Sequence, residues 1–327
     1  MPARPRSEFE KIALIERLLR GSRARAGRVE IGIGDDAAVL MSPGRLVWTI
    51  DSQVEGSHFD RAWLSLEDIG YRSFQAAASD LAAMGAKPIA ALSNLALPRQ
   101  FSDRELARLV RGQAQASAHC GCPVVGGNLS RAPDLSVTTT LLGVAARPLL
   151  RRGARPGDEL WLWGDVGLAA LGLRALQRGL QRRASLKAGV ERWRRPRALL
   201  AEGRKLIGRA RAAIDVSDGL AGDAAHLARE SGVRVVFDAG QLEAGLGVDL
   251  LRGAQFLGES ALTLALLGGE DYALLAAGPA TKRPRAAHSV GQVERGSGVF
   301  LERAGKRQRL GRAFEHFAAT SNFRKRY

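Results

Sequence analysis

In both halves of this chain, short apolar runs with strand character stop at an aspartate or at a glycine–acid turn, and a helical stretch follows. Leu46 to Ile50 closes at Asp51, Ala212 to Asp215 runs on into Ser217-Asp218-Gly219, and Gly32-Ile33-Gly34 turns straight into Asp35-Asp36. Strands and helices mixed this way through both halves imply α/β or α+β layers, not a bundle or a sandwich. In such layers the loops beyond strand ends gather ligands. The pattern that limits the fold therefore also says where its chemistry sits.

Periodicity fills in the elements. A helix opens at Ser7, with Phe9, Ile12 and Ile15 near helical spacing, and a second spans 67 to 84 with Tyr71, Phe74, Ala78, Leu81 and Met84 on one side. Pro88 to Leu97 reads as a buried strand, Asp103 to His119 as a helix, and Pro123-Val-Val as a strand running into Gly126-Gly127-Asn128. Leu135 to Ala146 is a Val/Thr-rich strand. Gly153-Ala-Arg-Pro-Gly-Asp158 is a turn-rich break, and 327 residues favour two domains over one. We expect them at 1–150 and 151–327. Beyond the break, Glu159–Trp163, 233–237, 273–277, 288–293 and 299–302 read as strands, and the very basic stretch 178–197 as a solvent-facing insert.

A formal charge of +16 raises the question of nucleic acid. The excess is scattered arginine with few aromatics between, so a solvated basic surface, or a field drawing in a phosphorylated substrate, is the expectation, with no nucleic-acid partner. No run approaches the ~18 apolar residues of a membrane span, and the first residues lack a secretory signal. A cytoplasmic protein with no membrane partner is expected. Cys120 and Cys122 read as small buried hydrophobes, not as a disulfide or half of a zinc site.

Glycine-rich phosphate loops normally end in Lys or in helix N–H groups, because they meet an anion. Gly32-Ile-Gly-Asp-Asp36 ends in anions, so a nucleotide would be met through divalent cations. Other acids sit at strand ends and turns: Asp51, Asp80, Asp215, Asp218, Glu270 and Asp271. Singly, each has an ordinary structural reading, such as turn former or helix cap. Crowded together they would repel, and oxygen-only ligation without His or Cys clusters selects Mg2+ or Mn2+. Neither a P-loop nor a protein-kinase motif set is present.

These motifs, with Asp51-Ser-Gln-Val-Glu-Gly-Ser-His-Phe59, Ser79-Asp-Leu-Ala-Ala-Met-Gly-Ala86, Gly126-Gly127, Arg152-Gly-Ala-Arg-Pro-Gly-Asp158, Ile214-Asp-Val-Ser-Asp-Gly-Leu220 and Gly268-Gly-Glu-Asp-Tyr272, resemble the thiamine-monophosphate kinase family of the aminoimidazole-ribonucleotide-synthetase-like superfamily. The match runs in order from about residue 7 to about 318. The resemblance implies two α/β domains, the N-terminal sheet pairing across a homodimer, and transfer of the ATP γ-phosphate to thiamine monophosphate. It implies several Mg2+ ions held by Asp36, Thr49, Ile50, Asp51, Asp80, Asn128, Asp215 and Asp218. ATP contacts would fall on Gly127, Asn128, Arg151 and Ser217, and substrate contacts on His58, Glu270 and Phe314. No general base is implied, because the attacking phosphate oxygen is already anionic.

Two positions depart from the family pattern. Asn128 stands where the family has a metal-binding Asp, and Ile50 where it favours Thr. Loss of one charge at ~4 Å removes about 4 kcal/mol of attraction at an effective dielectric near 20. A chain that binds nucleotide or thiamine phosphate without transfer, or a relative with another acceptor, is therefore the competing reading. The reactive early cysteine of selenophosphate synthetases has no counterpart before Cys120.

Overall fold

The structure is a computed structural model that describes residues 29–31, 38–42 and 44–311. The helix expected from Ser7, the Gly32–Asp36 turn and Phe314 lie outside the described residues.

Strands β1 (Val29–Ile31), β2 (Ala38–Ser42), β3 (Gly44–Val54), β4 (Lys87–Leu97), β5 (Val124–Arg131) and β6 (Ser136–Ala145) form one sheet, in the order β1-β2-β3-β6-β4-β5. Along β6, buried and half-buried residues alternate, as they do where one face of a sheet sits on a core. Helices α1 (Leu66–Ala83) and α2 (Asp103–Cys120) lie with that core. Ser65 caps α1 by accepting the Asp68 N–H at 3.1 Å, and Ser102 with Glu105 closes a capping box on α2. α2 carries the chain from β4 to the parallel β5, as a crossover must. The two helices meet backbone to backbone: a Cβ on Gly70 would lie 2.0 Å from the Leu109 carbonyl oxygen, and one on Gly112 1.9 Å from that of Glu67.

Among the described residues, part of the opposite face is left exposed. Ile50, Thr140 and Leu92 form one row across β3, β6 and β4, with Ile50 67% and Leu92 43% exposed. Every residue of the edge strand β5 is exposed. Gly126-Gly127-Asn128, into which the expected strand runs, is itself part of β5, with Gly127 opposite Ser93 and Asn128 opposite Asn94. Pairing with β4 overrides the turn preference of the glycines.

A second sheet collects β7 (Glu159–Trp163), β8 (Ala212–Val216), β9 (Arg234–Asp238), β10 (Ala273–Gly278), β11 (His288–Glu294), β12 (Gly298–Arg303) and β13 (Lys306–Arg309), ordered β13-β12-β9-β11-β7-β10-β8. Only β9 and β12 among these neighbours run parallel. Its helices are α3 (Leu168–Gln177), α4 (Lys187–Arg194), α5 (Leu200–Leu206), α6 (Leu220–Ser231), α7 (Ala239–Ala244), α8 (Val248–Leu257) and α9 (Ala261–Leu267). The basic stretch is not simply solvated. It forms α4, Trp193 is fully buried, and Arg192 and Arg195 pair with Asp165 at 2.6 Å and Asp68 at 2.8 Å.

α1 serves both sheets. Phe74 and Leu81 on it and Met84 at its C-cap share a buried cluster with Trp161, Ala213 and Leu274 of the second sheet, each large side chain contributing roughly 1.5–3 kcal/mol by burial. Cys120 and Cys122 are unpaired, and burial pushes their thiols up to about 12 and about 11. Cys122 is buried as expected, and Cys120 is half-buried.

Candidate active site

Residues four apart on a helix share a face, so α1 presents Arg72, Ala76 and Asp80 together. Ala76 and Asp80 line a cavity of about 500 Å³. β3 brings Asp51 to the same cavity, two residues beyond Thr49, whose hydroxyl donates to the Asp80 carboxylate. From the second sheet come Asp215 at the end of β8, Ser217 and Asp218 just past it, and Glu270 before β10. His58 lies on the loop after β3, its Nδ1 accepting the Val54 N–H at 3.2 Å.

Asp215 sits in a strand whose five residues are all buried. A carboxylate there needs donors, and the Ser79 hydroxyl on α1 supplies one at 2.7 Å from Oδ2. The Gly268–Tyr272 turn is strained: Glu270 at φ 68° and Tyr272 at φ 54° are left-handed, which costs side-chain-bearing residues about 1–3 kcal/mol each. Ladder-like bonds hold it, from the Glu270 N–H to the Ser217 carbonyl at 2.7 Å and from the Tyr272 N–H to that of Val216 at 2.9 Å. Gly269 has no room for a side chain, since a Cβ would sit 2.4 Å from the Ser217 oxygen. The Glu270 carboxylate accepts from Arg72 through Oε1 and from the Trp193 indole N–H, at 2.5 Å, through Oε2.

Burial is the largest influence on the buried carboxylates of the site. Burial pushes the Asp51 carboxyl up to about 6, against the pull of the Ser52 N–H and Arg72. Asp223, on α6, is raised well above the usual carboxylate range by burial and by the charges of Asp218 and Asp215. It accepts the N–H groups of Ser217 and Asp218 at 3.0 Å each and so shapes the turn that carries them. Asp271 takes no part in the cavity. Its two oxygens accept the N–H groups of Gly167 and Ala169 at 2.6 and 2.8 Å, capping α3, and burial pushes it up to about 7.

Of the residues expected from sequence, Ile50, Asp51, His58, Asp80, Asp215, Ser217, Asp218 and Glu270 line one cavity, and Thr49 touches it through Asp80. Gly127, Asn128 and Arg151 do not line it. Asn128 is exposed on β5 and donates to the Asn94 amide oxygen at 3.0 Å. Asp36 and Phe314 lie outside the described residues. Arg72, Gln53, Trp193 and Asp223 were not anticipated.

Among the described residues, no three His, Cys, Asp or Glu side chains converge closely enough to bind a metal by themselves. The donor set nonetheless suits a hard divalent cation. It is all oxygen, it crowds acids that burial leaves under-compensated, and Mg2+ commonly takes one or two carboxylates with substrate phosphates completing its shell.

Residues 34–145 match the family described as AIR synthase related protein, N-terminal domain. A thiamine-monophosphate kinase of Mycobacterium tuberculosis is 34% identical over 274 residues, covering 82% of this chain and 80% of that protein. That of Aquifex aeolicus is 34% identical, covering 83% and 89%. A solved structure described as AaThiL complexed with AMPPCP and TMP superposes with a TM-score of 0.88 at 31% identity, covering 97% of this chain and all of that one. Among the described residues, no helix is long and apolar enough to cross a membrane.

Proposed function

This chain belongs to the thiamine-monophosphate kinase family, and we propose that it transfers the γ-phosphoryl group of ATP to thiamine monophosphate at the cavity between its two sheets. It is an ATP-dependent thiamine-phosphate kinase, making thiamine diphosphate and ADP. The observation that carries the site assignment is the meeting of Asp51 and Asp80, from β3 and α1, with Asp215 and Asp218, from the β8 end, around one cavity that also holds His58 and Glu270.

A phosphate oxygen of thiamine monophosphate attacks the γ-phosphorus in line, and the bond to the β,γ-bridging oxygen breaks. The electron pair leaves with ADP. The nucleophile is already an anion, so none of these side chains needs to take a proton. Asp51, Asp80, Asp215 and Asp218, with Asp36, are the side chains that would hold Mg2+, and Thr49 and Ile50 would add oxygens. Bound divalent ions would offset charge on the phosphates and fix their alignment. The protein's part is positioning: Thr49 orients Asp80, Ser79 orients Asp215, and Asp223 shapes the Ser217–Asp218 turn. His58 and Glu270, with Phe314, would receive thiamine phosphate. Ser217, Gly127, Asn128 and Arg151 would contact ATP.

The same reading takes 1–150 and 151–327 as two domains and the first sheet as a dimer interface. What supports the dimer, among the described residues, is the exposure of Ile50 and Leu92 on one sheet face and of the whole edge strand β5. A sheet edge left unpaired invites a second chain. Gly127 and Asn128 lie three strands from Asp51 in the sheet order, roughly 14 Å at the usual strand spacing, and a second protomer would bring another β5 within reach of the nucleotide.

Incubation of the purified protein with Mg-ATP and thiamine monophosphate should yield thiamine diphosphate and ADP in equal amounts. No diphosphate at high enzyme concentration would overturn the reading.

A further inference from the structure

His58 and Glu270 reach the cavity from different sheets, and one basic helix touches the supports of both. At the end of α4, the Trp193 indole N–H donates to Glu270 Oε2 at 2.5 Å. The Trp193 carbonyl accepts from Arg72, whose guanidinium lies 4.8 Å from the Trp193 ring centroid and donates to Glu270 Oε1. Arg72 Nε donates to Gln53 Oε1 at 3.3 Å, two residues along β3 from Asp51. The Trp193 ring meets Trp63 edge-on with centroids 6.4 Å apart, and Arg194 Nε donates to the Trp63 carbonyl at 3.2 Å. Trp63 closes the loop that carries His58, its N–H donating to the Asp60 carbonyl at 3.0 Å.

We propose that Trp193 and Arg72 are positioning residues for the acceptor side of the site, and that α4 is a clasp setting the distance between Glu270 and the His58 loop. This rests on the reading of His58 and Glu270 as thiamine-phosphate contacts. Both Glu270 oxygens are engaged, so its carboxylate cannot swing toward or away from the substrate without breaking a bond to Arg72 or Trp193. A fully buried guanidinium shared among a carboxylate, a carbonyl and an amide is costly to rearrange. The left-handed backbone at Glu270 further fixes where that side chain starts. The clasp holds the Glu270 carboxylate, whereas the Asp215–Asp218 turn is tied to the Glu270 backbone N–H through the Ser217 carbonyl, so loss of the side-chain bonds should be felt by thiamine phosphate and little by ATP.

Trp193→Phe tests this. It keeps an aromatic ring beside Trp63 and removes the N–H to Glu270, at the cost of a smaller ring in a fully buried place. With ATP saturating, KM for thiamine monophosphate should rise about tenfold or more, while KM for ATP stays within about twofold. Joining it to Glu270→Gln should give less than the product of the single effects. Arg182→Ala, in the exposed part of the basic stretch, should change neither constant. An unchanged KM for thiamine monophosphate, or equal rises in both constants, would overturn the clasp. Should Trp193→Phe fail to fold, Arg72→Lys decides by the same split, because lysine keeps the charge but cannot serve Gln53, Trp193 and Glu270 together. If the wild type makes no product, the functional reading fails on its own. Calorimetric binding of thiamine monophosphate to wild type and Trp193→Phe then decides the clasp: about tenfold weaker binding supports it, and equal binding overturns it.

Discussion

The Ser79 hydroxyl donates to Asp215 Oδ2 at 2.7 Å, joining a helix of the first sheet to a buried strand of the second. Both carboxylates that flank this bond, Asp80 next to Ser79 and Asp215 itself, face the cavity. Ser79→Ala removes a donor from a buried carboxylate, which costs about 1–3 kcal/mol. The expected result is a lower denaturant midpoint with an unchanged m-value, and a fall in kcat of about tenfold as Asp215 loses its alignment. A variant with wild-type kcat would show that Asp215 is held by its other contacts.

Asp51→Asn should lower kcat by at least a hundredfold at saturating ATP and thiamine monophosphate. The amide keeps the shape but surrenders the charge and one acceptor. Raising Mg2+ should not restore the rate. Turnover at the wild-type level would remove Asp51 from the metal-binding set.

Asp271 gives a pH signature. Its folded carboxyl is pushed up to about 7 by burial, from an ordinary value of 3.8. A carboxyl with a raised folded value contributes stability that is complete below the unfolded value and is lost as pH rises through the folded one. Melting temperature should therefore fall between about pH 4 and pH 7 from this group. Asp271→Asn should flatten that slope. It should also cost about 1–3 kcal/mol throughout, because the amide would turn an N–H toward one of the two donors capping α3. Melting curves at several pH values read both effects, and an unaltered slope would exclude Asp271 as its source.

Asn128→Asp restores the charge that the family pattern carries at this position. The Asn94 amide, now 3.0 Å away as acceptor, can turn to donate to the new carboxylate. We expect a severalfold higher rate at limiting Mg2+ and little change at saturation. Equal rates at every Mg2+ concentration would mean that position 128 does not meet the ion.

Much of the site was legible because it is locally encoded. Asp215 closes the apolar run 212–215 in company with other acids at strand ends, and Tyr71, Phe74 and Ala78 are buried as their helical period implied, although α1 is buried nearly all round, Arg72, Ser73 and Gln75 included. The partners of Glu270 were not legible. Arg72 is 198 positions away and Trp193 is 77, and neither separation leaves a periodic trace. Trp193 lay hidden among arginines that pointed to solvent, although a tryptophan in such company marks a buried anchor. Asp223 could have been found: an acid in the first turn of a helix, following a glycine-bearing loop, is well placed to accept that loop's N–H groups. The three short helices 239–267 escaped notice because glycines at 245, 247 and 258 interrupt them before a period is established.

The guanidinium of Arg72 also sets an order of events during synthesis. It belongs to the first half of the chain, yet its carboxylate partner is made 198 residues later. At ~5–20 residues per second that is a wait of about ten seconds or more on the ribosome. Until Glu270 emerges, the guanidinium that the finished protein buries has within its own half of the chain only the Asp51 charge and the Gln53 amide. The set of bonds that buries Arg72 is therefore completed only once the last third of the chain has been made.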